Sequence, residues 1–393
     1  MGRIVIVGAG REGKGHLGVV FSEGGWEVSF LDKDLEVIEA LRQGQYEVTE
    51  YRAEDTKRKV IGGYKAFWTD GQQSCRNEIM EADVIALCLY PEDMGDAISY
   101  LLPVLEQRSR MNPAKCLTMF PCTNENGLIP EIDSRIKDGL DEEGRKWYGE
   151  RVSLVDTVVR RPVGAKSSSS LELEAGVVCP LLIGEPVYAD LRGVPWVEKC
   201  PADMELLKKL KVHTINTAHA ACAYAGYLKG YRMIDEAKAD REVSAVVSGV
   251  LEESVPVLAR VYHISEKELW DLAIFPDSKD AFCDPVTRVA FDPLRKLARH
   301  DRLTENACLC LEHGVDPKYL ILSIANGMAY DAPGDAAAEM IQRWIGEYGI
   351  EQAVSRVTGL PVEHEIVRRV SECWAGRKGR RQKEHEKNNK QTG

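Results

Sequence analysis

The sequence is short of several features that would have assigned it elsewhere. No apolar run reaches the length of a membrane span. No secretory signal precedes the first apolar strand. The eleven cysteines contain no C-x2-C pair of the zinc-site type, only the C-x-C of Cys308 and Cys310. Positive charge is in deficit: 51 Lys and Arg against 62 Asp and Glu leave a net charge of -11. That balance argues against a broad nucleic-acid surface, while a local basic pocket for a small anion remains open. There is no internal repeat. These absences point to a cytoplasmic globular protein whose cysteines are reduced and mostly buried.

What is present divides in two. A chain of 393 residues is too long for one small core, so two domains are expected. The first half alternates strand and helix signals: "RIVIV", "WEVSFLD", "ADVIALCLY" and "AKCLTMFPC" are apolar or alternating runs, separated by helical stretches. This is the pattern of a doubly wound α/β domain. Residues 151 to 195 are strand-rich, with "KSSSS" as a loop. Beyond Pro195 the sequence turns helical. The expected division is therefore 1–195, then a mainly α-helical domain over 196–376, then 377–393. The last segment is charged and without apolar periodicity, so it reads as a disordered basic tail. A solvated tail is preferred there over an RNA- or lipid-binding one.

"GAGREG" places Gly8, Gly10 and Gly13 in G-x-G-x-x-G spacing. The motif follows a strand, opens a helix, and precedes a second strand ending in Asp32. In this context Gly8 permits the tight turn, Gly10 lets a pyrophosphate approach the backbone, and Gly13 lets helix and strand pack closely. The helix start offers unpaired N–H groups. Asp32 would accept from both ribose hydroxyls and repel a 2′-phosphate. The domain is thus expected to be Rossmann-type and to bind NAD. Lys33 leaves a little room for NADP. A plain glycine turn with a capping Asp is the competing account.

"KVHTINTAHA" sets Lys211, Asn216 and His219 at K-x4-N-x2-H. Two readings stand. One is a solvated helix face, with "ELLKKLK" part of it and His219 an interfacial histidine. The other is a catalytic lysine with two polar helpers. On an α-helix, Lys211, His219 and Asn216 fall near about 0°, 80° and 140°. A lysine whose pKa is lowered by burial and cationic neighbours can move a proton, and no metal cluster is visible to do so instead. Asn124, after the strand "CLTMFPC", lies where ligands bind in open α/β sheets. A third feature is basic: "TRVAFDPLRKLARHDRL" holds Arg288, Arg295, Lys296, Arg299 and Arg302. Arginine can clasp a phosphate with two donors. Arg299 is read as solvated.

"GAGREGKGHLG", "INTAHAACAYAGYLKGY", "DPVTRVAFDPLRKLARHDRL" and "GLPVEHEIV" together resemble the polyol-specific long-chain dehydrogenases, the mannitol dehydrogenase family. The resemblance spans residues from about 3 to 370. It implies a Rossmann-type domain followed by a helical domain, with the site in the cleft and no metal. It implies Lys211 as general acid/base, Asn216 and Asn124 as oxyanion donors, and His219 as a substrate ligand. The "R-V-x-x-D-P-L-R-K-L" run is similar to the branch acting on polyol phosphates, which implies a phosphate held by Arg288, Arg295 and Lys296. The expected reaction is NAD-dependent, of the mannitol 1-phosphate to fructose 6-phosphate type. A free polyol, a sugar acid, or a non-catalytic NAD sensor are the alternatives. The sequence departs from the family at Arg11, Glu12, His16, Thr123 and Arg160, and the loop after Arg161 has no familiar counterpart.

Overall fold

In "RIVIV" every residue after Arg3 is apolar, and both sets of alternating side chains find a core. Ile4 and Ile6 join one buried cluster, Val5 and Val7 another. A strand buried on both faces belongs to the middle of a parallel sheet. The computed structural model, which describes residues 2–51, 56–70, 74–123, 125–176, 180–273 and 284–376, places β1 (Arg3–Val7) there.

The sheet has six strands. β1 pairs in parallel with β2 (Glu27–Asp32) on one side. β3 (Gln45–Tyr51) and β4 (Thr56–Gly62) leave to form a separate hairpin. β5 (Lys65–Trp68) returns beside β2, while β6 (Val84–Leu87), β7 (Leu117–Pro121) and β8 (Val152–Leu154) extend the other side. The order is β5-β2-β1-β6-β7-β8. β9 (Thr157–Val158), β10 (Val163–Ala165), β11 (Glu172–Ala175), β12 (Leu181–Ile183) and β13 (Val197–Lys199) build two smaller sheets. In one, β10 and β11 join the β3–β4 hairpin; in the other, β12 lies between β9 and β13. "KSSSS" is the turn between β10 and β11, as expected of a loop.

The chain resolves into two compact units, Met1–Lys208 and Lys209–Gly393. β13 lies beyond Pro195, and its pairing with β12 carries the first unit past that point. The four-stranded sheet holds a buried charge network. Arg161 donates to Glu50 at 2.6 Å with both side chains fully buried, and Lys59 joins Glu50 to Glu23, each at 2.7 Å. Burial alone would raise the Glu50 pKa; Lys59 and Arg161 bring it below the ordinary carboxylate value.

The second unit is helical throughout its named elements. Thr217–Lys229 is its hub, and its alanines allow close approach. A Cβ on Gly226 would lie 2.6 Å from the Ala237 Cβ, so the helix Ile234–Ala239 packs directly on that glycine. The long helix Arg241–Tyr262 also packs against the hub, with Val250, Val255 and Val257 buried. The hub stops at Gly230, whose φ of 85° is left-handed. The proposed basic tail, 377–393, lies outside the described residues.

Candidate active site

At the carboxyl ends of β1 and β2 a pocket of about 390 Å³ opens. Gly8, Gly10, Asp32, Leu89, Tyr90 and Ala97 are among the residues that line it. Gly8 has φ 96°, and a Cβ there would sit 2.2 Å from the Cys88 carbonyl oxygen. A Cβ on Gly13 would come within 2.1 Å of the Gly8 oxygen, whereas one on Gly10 would meet nothing within 4 Å. Gly8 and Gly13 are therefore needed for packing, and Gly10 leaves bare backbone at the pocket. That cradle fits a pyrophosphate.

Asp32 is held rigidly. Its Oδ2 accepts from the Ala9 N–H at 2.6 Å and its Oδ1 from the Asp34 N–H at 2.9 Å. Each oxygen keeps accepting capacity for a ribose hydroxyl. The Lys33 ammonium, which left room for a 2′-phosphate, lies 2.5 Å from the Asp93 carboxylate. Asp34, Asp93 and Asp96 line the same pocket as Asp32. Glu12 and His16, two departures in the glycine loop, pair with each other at 2.6 Å.

The catalytic candidates of the second unit sit on an irregular helix. Met204–Lys211 is α-helical, Val212–Asn216 is a π-helical turn, and Thr217–Lys229 resumes the α-helix. A π turn closes through an i→i+5 bond, so it brings residues five apart toward one side. Side chains bond to two carbonyls of the widened turn. Thr217 Oγ1 shares its one proton between the Val212 oxygen at 3.1 Å and the Arg302 oxygen at 3.0 Å. Asn306, itself buried, donates its amide to the His213 oxygen at 2.8 Å and to Thr217 Oγ1 at 3.1 Å. Sequence reasoning did not single out Asn306; no spacing signal ties it to residue 213. Lys211 is buried, and Asn216 and His219 are half-buried. "ELLKKLK" is not a solvated face throughout, because Lys208 is buried and donates to Asp156 and to the Glu125 carbonyl.

His219 stands among cations. Burial first, then the charges of Arg288, Arg302, Lys211 and Lys238, push its pKa down to about 4. The imidazole is neutral at physiological pH. Of the three nominated phosphate ligands, Arg288 belongs to these surroundings and forms an ion pair with Asp284. Arg295 is exposed and donates to Asp292 at 3.2 Å. Lys296 is buried, with its ammonium on the carbonyls of Val289 and Phe291. Burial, then Arg302 and Arg295, lower its pKa to about 7. Arg302 is thus near both His219 and Lys296, and its carbonyl accepts from Thr217 Oγ1 at 3.0 Å. Arg299 is paired with Glu305. Asn124 lies outside the described residues. Among those described, every cysteine is a free thiol, no helix is long and apolar enough to cross a membrane, and no cluster of three His, Cys, Asp or Glu side chains suits a metal.

Comparison with known proteins covers nearly the whole chain. Residues 2–181 match the mannitol dehydrogenase Rossmann domain, and residues 203–374 the mannitol dehydrogenase C-terminal domain. A mannitol-1-phosphate 5-dehydrogenase of Aspergillus clavatus is 30% identical over 381 residues, covering 94% of this chain and 96% of that one. Another, from Brevibacillus brevis, is 28% identical over 388 residues, covering 94% and 98%. Among solved structures, the Pseudomonas fluorescens mannitol 2-dehydrogenase complex with NAD and D-mannitol shares the fold. It is 17% identical with a TM-score of 0.72, covering 95% of this chain and 91% of that one. A D-sorbitol dehydrogenase in substrate-free form gives 16% identity and a TM-score of 0.74, covering 95% and 92%. The two family domains, in this order and over this much of the sequence, place the chain in the mannitol dehydrogenase family.

Proposed function

We propose that the protein is an NAD-dependent polyol dehydrogenase that oxidises a secondary alcohol of a linear polyol phosphate to the ketose phosphate. The observation that carries this is the π turn joining buried Lys211 to Asn216, beside a neutral His219 ringed by Arg288, Arg302, Lys211 and Lys238. The Gly8–Gly13 cradle and Asp32 are assigned the dinucleotide. When bound, its nicotinamide ring supplies the hydride acceptor.

The protein's own groups do the rest. Lys211, as the free amine, takes the hydroxyl proton while the C–H bond breaks. Asn216 donates its amide to the same oxygen as charge develops there, and Asn124 is assigned the second donor by its motif. Neutral His219 hydrogen-bonds a neighbouring hydroxyl. In the reverse direction protonated Lys211 returns the proton to the ketose oxygen. The cations around His219 supply an electropositive surrounding suited to a substrate that carries a phosphate.

A free polyol is the second reading, and the ion pairs favour it: Arg288 and Arg295 already hold carboxylates, and Lys296 holds two carbonyls. The test compares kcat/KM for fructose 6-phosphate and fructose in wild type and Arg295→Ala. Loss of about ten- to a hundredfold on the phosphate ester alone is expected, since charged hydrogen bonds contribute roughly 1.5–3 kcal/mol. Equal losses on both, or a wild type preferring fructose, would replace the phosphate with the free polyol.

A further inference from the structure

Lys14 lies within the glycine loop and is wholly buried, an unusual place for an ammonium. It does not project into water. Its Nζ donates to the carbonyl of Ser168 at 2.6 Å and to that of Ser170 at 2.9 Å, more than 150 residues along the chain. Both belong to the turn between β10 and β11. The hairpin packs on the glycine loop so closely that a Cβ on Gly15 would fall 2.3 Å from Val163 Cγ1. The turn is also braced within itself. Ser167 and Ser169 hydroxyls are 3.1 Å apart, and Ser170 Oγ donates to the Glu172 oxygen at 2.7 Å.

The turn is not merely adjacent to the cofactor pocket. Ser168, exposed at its tip, lines that pocket together with Gly10, Asp32 and Asp34. Burial lowers the Lys14 pKa to about 8, and the charges of Asp32 and Asp34 act against that. The ammonium is therefore within electrostatic reach of the carboxylate assigned to the ribose. Burying an ammonium is costly unless it is hydrogen-bonded, and here the bonds fix one particular turn at one particular pocket.

We propose that the serine turn Ser167–Ser170 is a second wall of the dinucleotide site, in which Ser168 hydrogen-bonds the adenosine ribose opposite Asp32 and Lys14 is the positioning residue that holds the turn there. This rests on the cofactor assignment above. It adds to that assignment a specificity element supplied from outside the strand–loop–strand motif. A ribose hydroxyl would then be held from two sides, by a carboxylate that only accepts and by a serine hydroxyl that also donates.

The experiment measures dissociation constants of AMP and of reduced nicotinamide mononucleotide for wild type, Ser168→Ala, Lys14→Met and Lys14→Arg. One lost neutral hydrogen bond corresponds to about two- to tenfold, so Ser168→Ala should weaken AMP by that factor. It should leave the mononucleotide unchanged. Lys14→Met should weaken AMP further, again without affecting the mononucleotide, and Lys14→Arg should restore part of the loss. Unaltered AMP affinity in Ser168→Ala overturns the proposal, whatever the stability of the Lys14 variants. Equal losses for both ligands in Lys14→Met would reduce Lys14 to a general structural role and overturn its part. A wild type that binds neither AMP nor the mononucleotide would instead remove the cofactor assignment beneath it.

Discussion

Lys211 and Asn216 stand at the two ends of one π-helical turn, Lys211 as the residue entering it and Asn216 as its last member. On a regular α-helix they would be about 140° apart. The wider turn carries them toward one side, which gives K-x4-N a physical meaning that helical spacing alone did not. Replacing Lys211 by methionine keeps the length and removes the proton acceptor. Turnover is expected to fall by about 10²–10⁴, and Asn216→Ala by about 10²–10³, with NADH affinity unchanged in both. Stopped-flow turnover and NADH fluorescence titration measure the two quantities. Near-normal turnover by Lys211→Met would take the lysine out of the mechanism.

Asn306 donates its amide to the His213 carbonyl within the π turn. Asn306→Ala removes that donor, at a cost of about 0.5–1.5 kcal/mol. The turn should then relax toward a regular helix, moving Asn216 away from Lys211. The expected result is a lower kcat, with the dinucleotide dissociation constant unchanged. Asn306→Asp should not restore it, because a carboxylate cannot donate to a carbonyl. Full activity in Asn306→Asp would show that the amide donor is dispensable.

Coenzyme choice follows from the carboxylates around the pocket. Asp32 is fixed by two backbone donors, and Lys33 is occupied by Asp93. Wild type should use NAD far better than NADP. Asp32→Ala should weaken NAD and narrow the preference, and adding Asp93→Asn should narrow it further by freeing Lys33 for the 2′-phosphate. The ratio of kcat/KM for the two coenzymes measures this. A double variant no better with NADP than Asp32→Ala would show that Lys33 has no part in discrimination.

His219 gives a pH signature with a definite sign. Its folded pKa of about 4 lies below the ordinary value of 6.5. Above pH 6.5 both folded and unfolded forms are neutral, and the contribution is fully present. As pH falls from 6.5 toward 4 the unfolded chain takes up a proton that the folded one refuses, so stability drops. Thermal unfolding between pH 7 and 4.5 should show a shallower decline in His219→Gln than in wild type. Parallel curves would mean that His219 is not held neutral.

Much of the first unit was legible because its signals are local. The β1 run, the glycine spacing and Asp32 at the end of β2 lie within 30 residues, and each is dictated by sterics or burial at that spot. The hairpin of β3 and β4 was not read as strands. "TKRKVIG" is rich in charge, and what makes it a strand is pairing with β3, itself held by β11. Register with a segment so far along the chain leaves no local trace. The π turns at Gly13–Gly18 and Val212–Asn216 were also unread, since no residue propensity marks them. The buried ends of Lys14 and Lys208 escaped for a related reason: a lysine reads as solvated until its partner is known. Asn216 and His219 were nominated by motif; Arg302, whose charge acts on His219, was seen only as one of a basic run.

The buried pairing of Glu50 with Arg161 also sets an order of events during synthesis. The six parallel strands end at Leu154, so an emerging chain of that length already holds the whole large sheet. Glu50 then has Lys59 nearby but not Arg161, which follows 111 residues after it. The small sheet, and with it the serine turn over the pocket, must wait for β10 and β11. Such distant closure is slow and comes late. A nascent chain therefore contains the residues of the glycine cradle before those of the proposed serine wall, and on that proposal dinucleotide present during folding would favour chains in which the last hairpin has docked.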